Sequence, residues 1–267
     1  MKKISVLTLF LIAILNINAQ NVVSKRLVKM NILLQNQTVS FKYNGKNEVV
    51  SIDEPKRKCK YTLSYNPDGS LKQVKKNISS ILKIEYTYSY DKEKILINEK
   101  RSGSQNRVSN DSISLVDKST FEIYSSYNRK TDKFVYDNNN NLIENVYFYG
   151  NSNKETSVYK YNNDISPLLY TQSIPIWFWI SDFSLTIDWV EGLAGKNTVK
   201  HITREKVDAD GNQMYAVERE YLNMPMPTEG NKLSEVDYTY EYDNDGYPIK
   251  QYKNGKLIRE FFYETFK

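Results

Sequence analysis

The chain has 267 residues, with 37 Lys and Arg against 32 Asp and Glu, a formal charge of +5, one cysteine, one histidine and 22 tyrosines. A single cysteine excludes an intramolecular disulfide, and one histidine with one cysteine excludes a His- or Cys-rich metal site. The mild basic excess is spread along the chain and sets solubility rather than naming a partner.

Met1-Lys2-Lys3 is followed by an apolar run from Ile4 to Leu15, broken only by Ser5 and Thr8, and then by a polar stretch ending at Ala19-Gln20. That order predicts a secretory signal peptide over residues 1–19, its apolar core too short to span a bilayer. Removing Lys2 and Lys3 brings the charge from +5 to +3. Cys59 lies far from the leader, so the mature protein is expected not to be a lipoprotein; export also argues against nucleic acid as a partner. Residues 20–267 are long enough for a single β domain.

Beyond the leader, turns punctuate alternating strands. Asn44-Gly45 predicts a type I′ hairpin after Phe41-Lys42-Tyr43. Cys59 falls within Lys58 to Leu63 and reads as a strand residue. Tyr65-Asn66-Pro67-Asp68-Gly69 is the first of a recurring kind of turn, in which Asp or Asn binds its own backbone and Gly or Asn accepts positive φ. Ile84, Tyr86, Tyr88 and Tyr90 then alternate with Glu85, Thr87, Ser89 and Asp91, which predicts a strand with one covered face. The turn recurs at Tyr136-Asp137, Val207-Asp208 and Tyr242-Asp243, with weaker copies at Tyr90-Asp91 and Tyr161-Asn162. Val236, Tyr238, Tyr240 and Tyr242 alternate with Glu235, Asp237, Thr239 and Glu241, and Asn254-Gly255 supplies a last hairpin. The reading is an all-β antiparallel meander of about fifteen strands, forming a strongly curved or partly closed barrel-like sheet.

The interruption is the stretch 167–195, which holds all three tryptophans, Trp177, Trp179 and Trp189, bounded by Pro and Gly. Neither strand nor helix periodicity fits it well, so it reads as an insertion with one short helix. Trp177, Trp179 and Trp189 are the candidate ligand-binding residues, since indole faces stack on sugars and anchor interfaces. The same rings would serve equally as a plug for the apolar inner surface of a curved sheet.

The Tyr-Asp-x-x-Gly turns resemble the tyrosine-aspartate repeats of Rhs-type bacterial surface proteins. With the leader ending at Ala19-Gln20, the interruption around Asn163 to Pro167 and the restart at Lys196 to Ile202, the chain resembles an exported Bacteroidetes family of unknown function. That resemblance implies a porin-like curved β-meander and brings no activity with it. Many members of the family begin with a lipidated cysteine, absent here.

No catalytic constellation is legible. His201 sits in a strand pattern and no Gly-x-Ser-x-Gly elbow exists. Asp208-Ala209-Asp210-Gly211 and Asp243-Asn244-Asp245-Gly246 suggest calcium loops, but neither has the EF-hand order, and turn chemistry explains both. No cofactor is expected. Asp111-Ser112-Ile113 looks like an O-glycosylation acceptor of Bacteroidetes. The reading favoured by these features is an exported, non-catalytic binding or scaffold protein of the envelope or surface, with a glycan or envelope protein as partner. Two alternatives stand beside it: a glycan or peptide hydrolase with paired carboxylates on a concave face, and an outer-membrane β-barrel. Charges on both faces of Leu71 to Lys76 count against the last.

Overall fold

A computed structural model describes residues 25–266 apart from 92–93, 117–118, 126–129, 140, 150–152, 169–196 and 208–233. Sixteen strands follow one another in chain order, each antiparallel to the next, and the last pairs with the first to close a barrel. They are β1 (Lys25–Ile32), β2 (Gln37–Tyr43), β3 (Val49–Glu54), β4 (Cys59–Tyr65), β5 (Leu71–Ile78), β6 (Leu82–Asp91), β7 (Lys94–Gly103) and β8 (Arg107–Leu115). The second half comprises β9 (Thr120–Ser125), β10 (Lys130–Tyr136), β11 (Leu142–Tyr149), β12 (Asn153–Ile165), β13 (Asn197–Val207), β14 (Ser234–Tyr242), β15 (Pro248–Lys253) and β16 (Lys256–Thr265). The expected meander is present, and it closes fully: β1 meets β16 from Lys25↔Thr265 to Ile32↔Arg259. Two single-turn 3₁₀ segments, Leu33–Gln35 and Pro55–Arg57, join β1 to β2 and β3 to β4. The leader and almost all of the aromatic insertion lie outside the described residues.

The turn chemistry acts as expected at most sites. Asp68 Oδ1 accepts the Ser70 amide, and Gly69 holds φ +84°. Asp137 accepts the amides of Asn139 and Asn141, and Asp243 those of Asp245 and Tyr247, with Gly246 at φ +81°. Asn254 and Gly255 both take positive φ, as a type I′ turn requires. The Asn44-Gly45 reading is corrected. There the left-handed residue is Asn47, at φ 62°, and Asn44 closes a longer loop by accepting the amides of Lys46 and Glu48 through Oδ1.

We call the end carrying Lys25 and Thr265 the near end, and the opposite one the far end. Inward side chains in the near half are apolar or tyrosine. Leu27, Met30, Val39, Ile52, Leu71, Val74, Ile97 and Ile113 are buried in one cluster, with Tyr43, Tyr65, Tyr86 and Tyr90 packed against it. Smaller clusters around Ile202 and Tyr238, and around Phe134 and Tyr136, continue the layer round the other wall. Sixteen strands about 4.8 Å apart and tilted near 40° would make a round tube roughly 32 Å across between backbones. An open water-filled tube of that width would wet these residues, yet they are buried, so in the near half they pack against protein rather than water. Leu168, three residues beyond β12, belongs to the same cluster as the β1–β8 wall, so the chain leaving β12 heads inward.

A tyrosine latch recurs at the near end. Hairpins turned at the far end are tied at the other by a tyrosine hydroxyl on the second strand, donating to a backbone carbonyl on the first. The pairs are Tyr43 to Leu27 (2.5 Å), Tyr65 to Val49 (2.7 Å), Tyr90 to Leu71 (2.8 Å), Tyr161 to Leu142 (2.6 Å), Tyr240 to Val199 (3.0 Å) and Tyr263 to Pro248 (2.8 Å). Burial pushes the hydroxyls of Tyr43, Tyr90, Tyr161 and Tyr240 well above the ordinary tyrosine range, so they remain donors. Tyr161→Phe keeps the ring and removes one such bond; it is expected to lower stability by about 1 kcal/mol, measurable by urea denaturation.

The outer wall is mainly polar, with Leu96, Val108, Tyr124, Phe148, Val158 and Phe262 as exposed apolar or aromatic exceptions. Thr38, Ser40 and Lys42 face outward on β2, Lys60, Thr62 and Ser64 on β4, and Lys83, Glu85, Thr87 and Ser89 on β6, each alternating with inward residues. The pattern recurs across the barrel with Glu235, Asp237, Thr239 and Glu241 on β14. Among the described residues no helix is long and apolar enough to cross a membrane, which leaves strand-spanning barrels untouched.

Candidate functional site: the charged far half of the lumen

The strand alternation that points apolar residues inward near the termini continues toward the far end, where charged and amide-bearing side chains join inward apolar ones such as Ile32, Ile84 and Val236. On β7 the inward series runs Ile95, Ile97, Glu99, Arg101, and on β5 it runs Val74, Lys76. Burying such groups is tolerated only when they pair, and the register supplies partners across the strands.

Glu99 is the best-held group. Its Oε1 accepts from Arg101 Nε at 2.6 Å and from Arg107 Nη2 at 2.8 Å, while Oε2 accepts from Arg101 Nη2 at 3.1 Å. Burial alone would push this carboxyl up, but the hydrogen bonds and charges of Arg101 and Arg107 outweigh it and hold the group below the usual range. The two arginines stand directly opposite each other, Arg101↔Arg107, an arrangement of like charges that is stable because Glu99 lies between them.

Other members continue the ring. Gln37 donates to Glu54 at 2.7 Å, with the Arg57 guanidinium 3.9 Å from the same oxygen. The Lys76 ammonium lies 5.1 Å from the Tyr61 ring centroid. On the opposite wall Tyr159 donates to Asn145 at 2.7 Å, Glu155 and Arg204 stand 4.0 Å apart, and Gln251 accepts from Arg259 while donating to the Tyr240 hydroxyl. Arg101, Arg107 and Arg204 are partly open to solvent. Planar guanidiniums beside amides and hydroxyls suit carboxylate, phosphate or sulfate groups, which they meet with paired hydrogen bonds.

The residues singled out from sequence fall as follows. Trp177, Trp179 and Trp189 lie outside the described residues, as does the Asp208 to Gly211 turn. The second calcium candidate is filled by a cation of the chain itself: Lys25 Nζ sits 2.7 Å from Asp243 and 2.5 Å from Asp245, bracing the near-end seam. Among the described residues no group of three or more His, Cys, Asp or Glu is placed to hold a metal. Cys59 is a buried strand residue on β4. Ser112 lies mid-strand on β8, paired to both neighbours.

His201 stands on the outer face of β13, its Nδ1 2.7 Å from Asp237 and its Nε2 3.1 Å from Thr203 Oγ1. Those are the nucleophile, base and orienter links of a triad. The strand is paired on both sides, so its amides belong to the ladders, and among the described residues of β13 none is left as an oxyanion donor beside Thr203. The inward carboxylates Glu54, Glu99 and Glu155 are each drawn to an arginine.

No family model matches the chain, and no curated protein matches it. Among solved structures the chain is similar to a porin-like protein from Bacteroides uniformis, at 13% identity over 90% of this chain and 96% of that one, with a TM-score of 0.49. It is also similar to a porin-like protein from Bacteroides vulgatus, at 13% identity over 89% of this chain and 98% of that one, with a TM-score of 0.42.

Proposed function

We infer that the chain is a non-catalytic barrel of the bacterial cell envelope that works from the aqueous side, with the charged far half of its lumen recognising an anionic, oxygen-rich ligand such as an acidic glycan. The observation that carries this is the polarity of the two faces. The inner wall is apolar near the termini and arginine-lined at the far end, while the outer wall bears lysines and carboxylates on strand after strand. Lipid contact would cost about 2–4 kcal/mol for each lysine near the bilayer midplane.

The outer-membrane barrel is the second reading, and closure favours it: an even-numbered, wholly antiparallel meander whose last strand carries Phe261, Phe262 and Tyr263 is the plan such proteins use. The hydrolase alternative gains no such support. Fractionation separates the two barrel readings. Carbonate washing of native envelopes is expected to release the protein without detergent, and the released protein to retain acidic but not neutral glycans on an array. Retention in the carbonate pellet would overturn the aqueous reading in favour of a lipid-spanning barrel; a silent array with folded protein would overturn the ligand class.

A further inference from the structure

The far-end turns between β1 and β8 form one continuous rim. Lys56 Nζ in the second turn donates to the Gln35 carbonyl in the first at 2.6 Å, and Arg57 Nη2 reaches Gln35 Oε1 at 3.4 Å. The Ser79 amide in the third turn donates to the Lys58 carbonyl in the second at 2.7 Å, and the Ser104 amide in the fourth donates to the Ile81 carbonyl in the third at 2.7 Å. Successive turns are two strands apart, so neighbours stand roughly 10 Å from each other along the edge.

This rim carries two features together. At its tips three large apolar side chains face solvent, Leu33 at 41%, Leu34 at 43% and Ile81 at 63% exposure. Around them stand Lys56, Arg57, Lys58, Lys60, Lys83, Arg101 and Arg107; of the acids nearby, Glu54 and Glu99 are buried, Glu99 between Arg101 and Arg107, and Asp53 is half-buried opposite Lys60, which leaves the lysines in excess. On the other side of the first turn, the β15–β16 turn adds Lys253 and Lys256. Apolar tips inside a field of cations match the interface of an anionic bilayer: the tips enter the headgroup and acyl boundary and the lysines meet lipid phosphates.

We propose that this rim is a membrane-docking edge, which seats the barrel on an anionic lipid surface through Leu33, Leu34 and Ile81 and the surrounding lysines, without spanning the bilayer. The proposal rests on the reading that the outer wall faces water. Docking by the far end also turns the arginine-lined half of the lumen toward the lipid surface, so its ligand would be one displayed at or close to that surface.

Vesicle flotation with the purified protein tests it, using phosphatidylcholine vesicles alone and vesicles containing phosphatidylglycerol. The protein is expected to float with the phosphatidylglycerol vesicles, weakly or not at all with phosphatidylcholine, and to be released by salt or carbonate. Lys56→Glu and Lys83→Glu are each expected to weaken partitioning by about fivefold or more, and Leu34→Asp with Ile81→Asp by at least about tenfold. All four positions are exposed, so circular dichroism should be unchanged. Val116→Asp, at an equally exposed apolar residue in a near-end turn (56%), serves as control and is expected to have no effect. No flotation with either vesicle, or equal loss from the near-end control, would overturn the docking edge and leave the aqueous barrel standing. Carbonate-resistant association would instead overturn the aqueous reading itself.

Discussion

Glu99→Ala is expected to lower the unfolding free energy by about 3–5 kcal/mol, the usual consequence of removing one partner of a buried ionic group. Glu99 has a side-chain exposure of 6% and accepts three charge-assisted hydrogen bonds from Arg101 and Arg107. Its loss leaves two opposed guanidiniums in a half-buried site with no anion between them. Urea denaturation reads the cost directly. Glu99→Gln preserves shape and some hydrogen bonding but not charge, so it should fall between wild type and alanine.

The pH dependence has a defined sign. The folded carboxyl of Glu99 titrates below its unfolded value because the arginine contacts outweigh burial. Its contribution is therefore complete above the unfolded pKa of about 4.3 and is lost as pH falls through the lower folded value. Wild-type stability should drop in that acidic window, and the drop should be smaller in Glu99→Gln. An unchanged acid profile would show that Glu99 does not carry this linkage.

Gly103→Ala is expected to be the second large effect, at about 3 kcal/mol or more. Gly103 adopts φ +105°, and a Cβ there would lie 2.0 Å from the Ile81 carbonyl oxygen. That oxygen accepts the Ser104 amide and so ties two turns of the far rim together. Backbone must move for alanine to fit. Gly69→Ala is the informative comparison: φ is +84° but the space beside it is open, so only the left-handed penalty of roughly 1–2 kcal/mol applies. Similar melting-temperature losses in the two variants would rule out the clash as the main cause.

Much of the fold was legible because strand and turn signals are local. The alternation of Ile84 to Tyr90 and of Val236 to Tyr242 specified which side chains face inward, and Asp68, Asp137 and Asp243 specified where the chain reverses. Closure was not legible, since it depends on β1 finding β16 at the far end of the sequence, and no local pattern encodes that pairing. The Asn44-Gly45 dipeptide misled because side-chain capping by Asn44 stabilised a longer loop in which Asn47 takes the left-handed position.

The charged lumen did leave a sequence signal. In Leu71 to Lys76 the charges on both faces were read as evidence against lipid, whereas their further meaning is that Lys76 points inward above Tyr61. Following strand parity through Ile95, Ile97, Glu99 and Arg101 shows the same change from apolar to ionic along one face. What the sequence could not supply was the register that sets Glu99 between two arginines. Trp177, Trp179 and Trp189 drew attention by composition, whereas the far-half ring is dispersed over more than two hundred residues and becomes visible only when the strands are aligned.

The tyrosine latches all lie inside hairpins, never between one hairpin and the next, whereas the β16–β1 seam is braced by Lys25 with Asp243 and Asp245 and by Arg26 with Glu264. Each latched pair is thus a closed module, and the place where the chain begins is incidental to the circle. With Lys25 and Thr265 already neighbours, joining the ends and cutting at the Asp68-Gly69 turn would preserve all six latches while converting the ion-paired seam into an ordinary connection. The barrel is, in that sense, a ring of interchangeable staves whose opening could be moved.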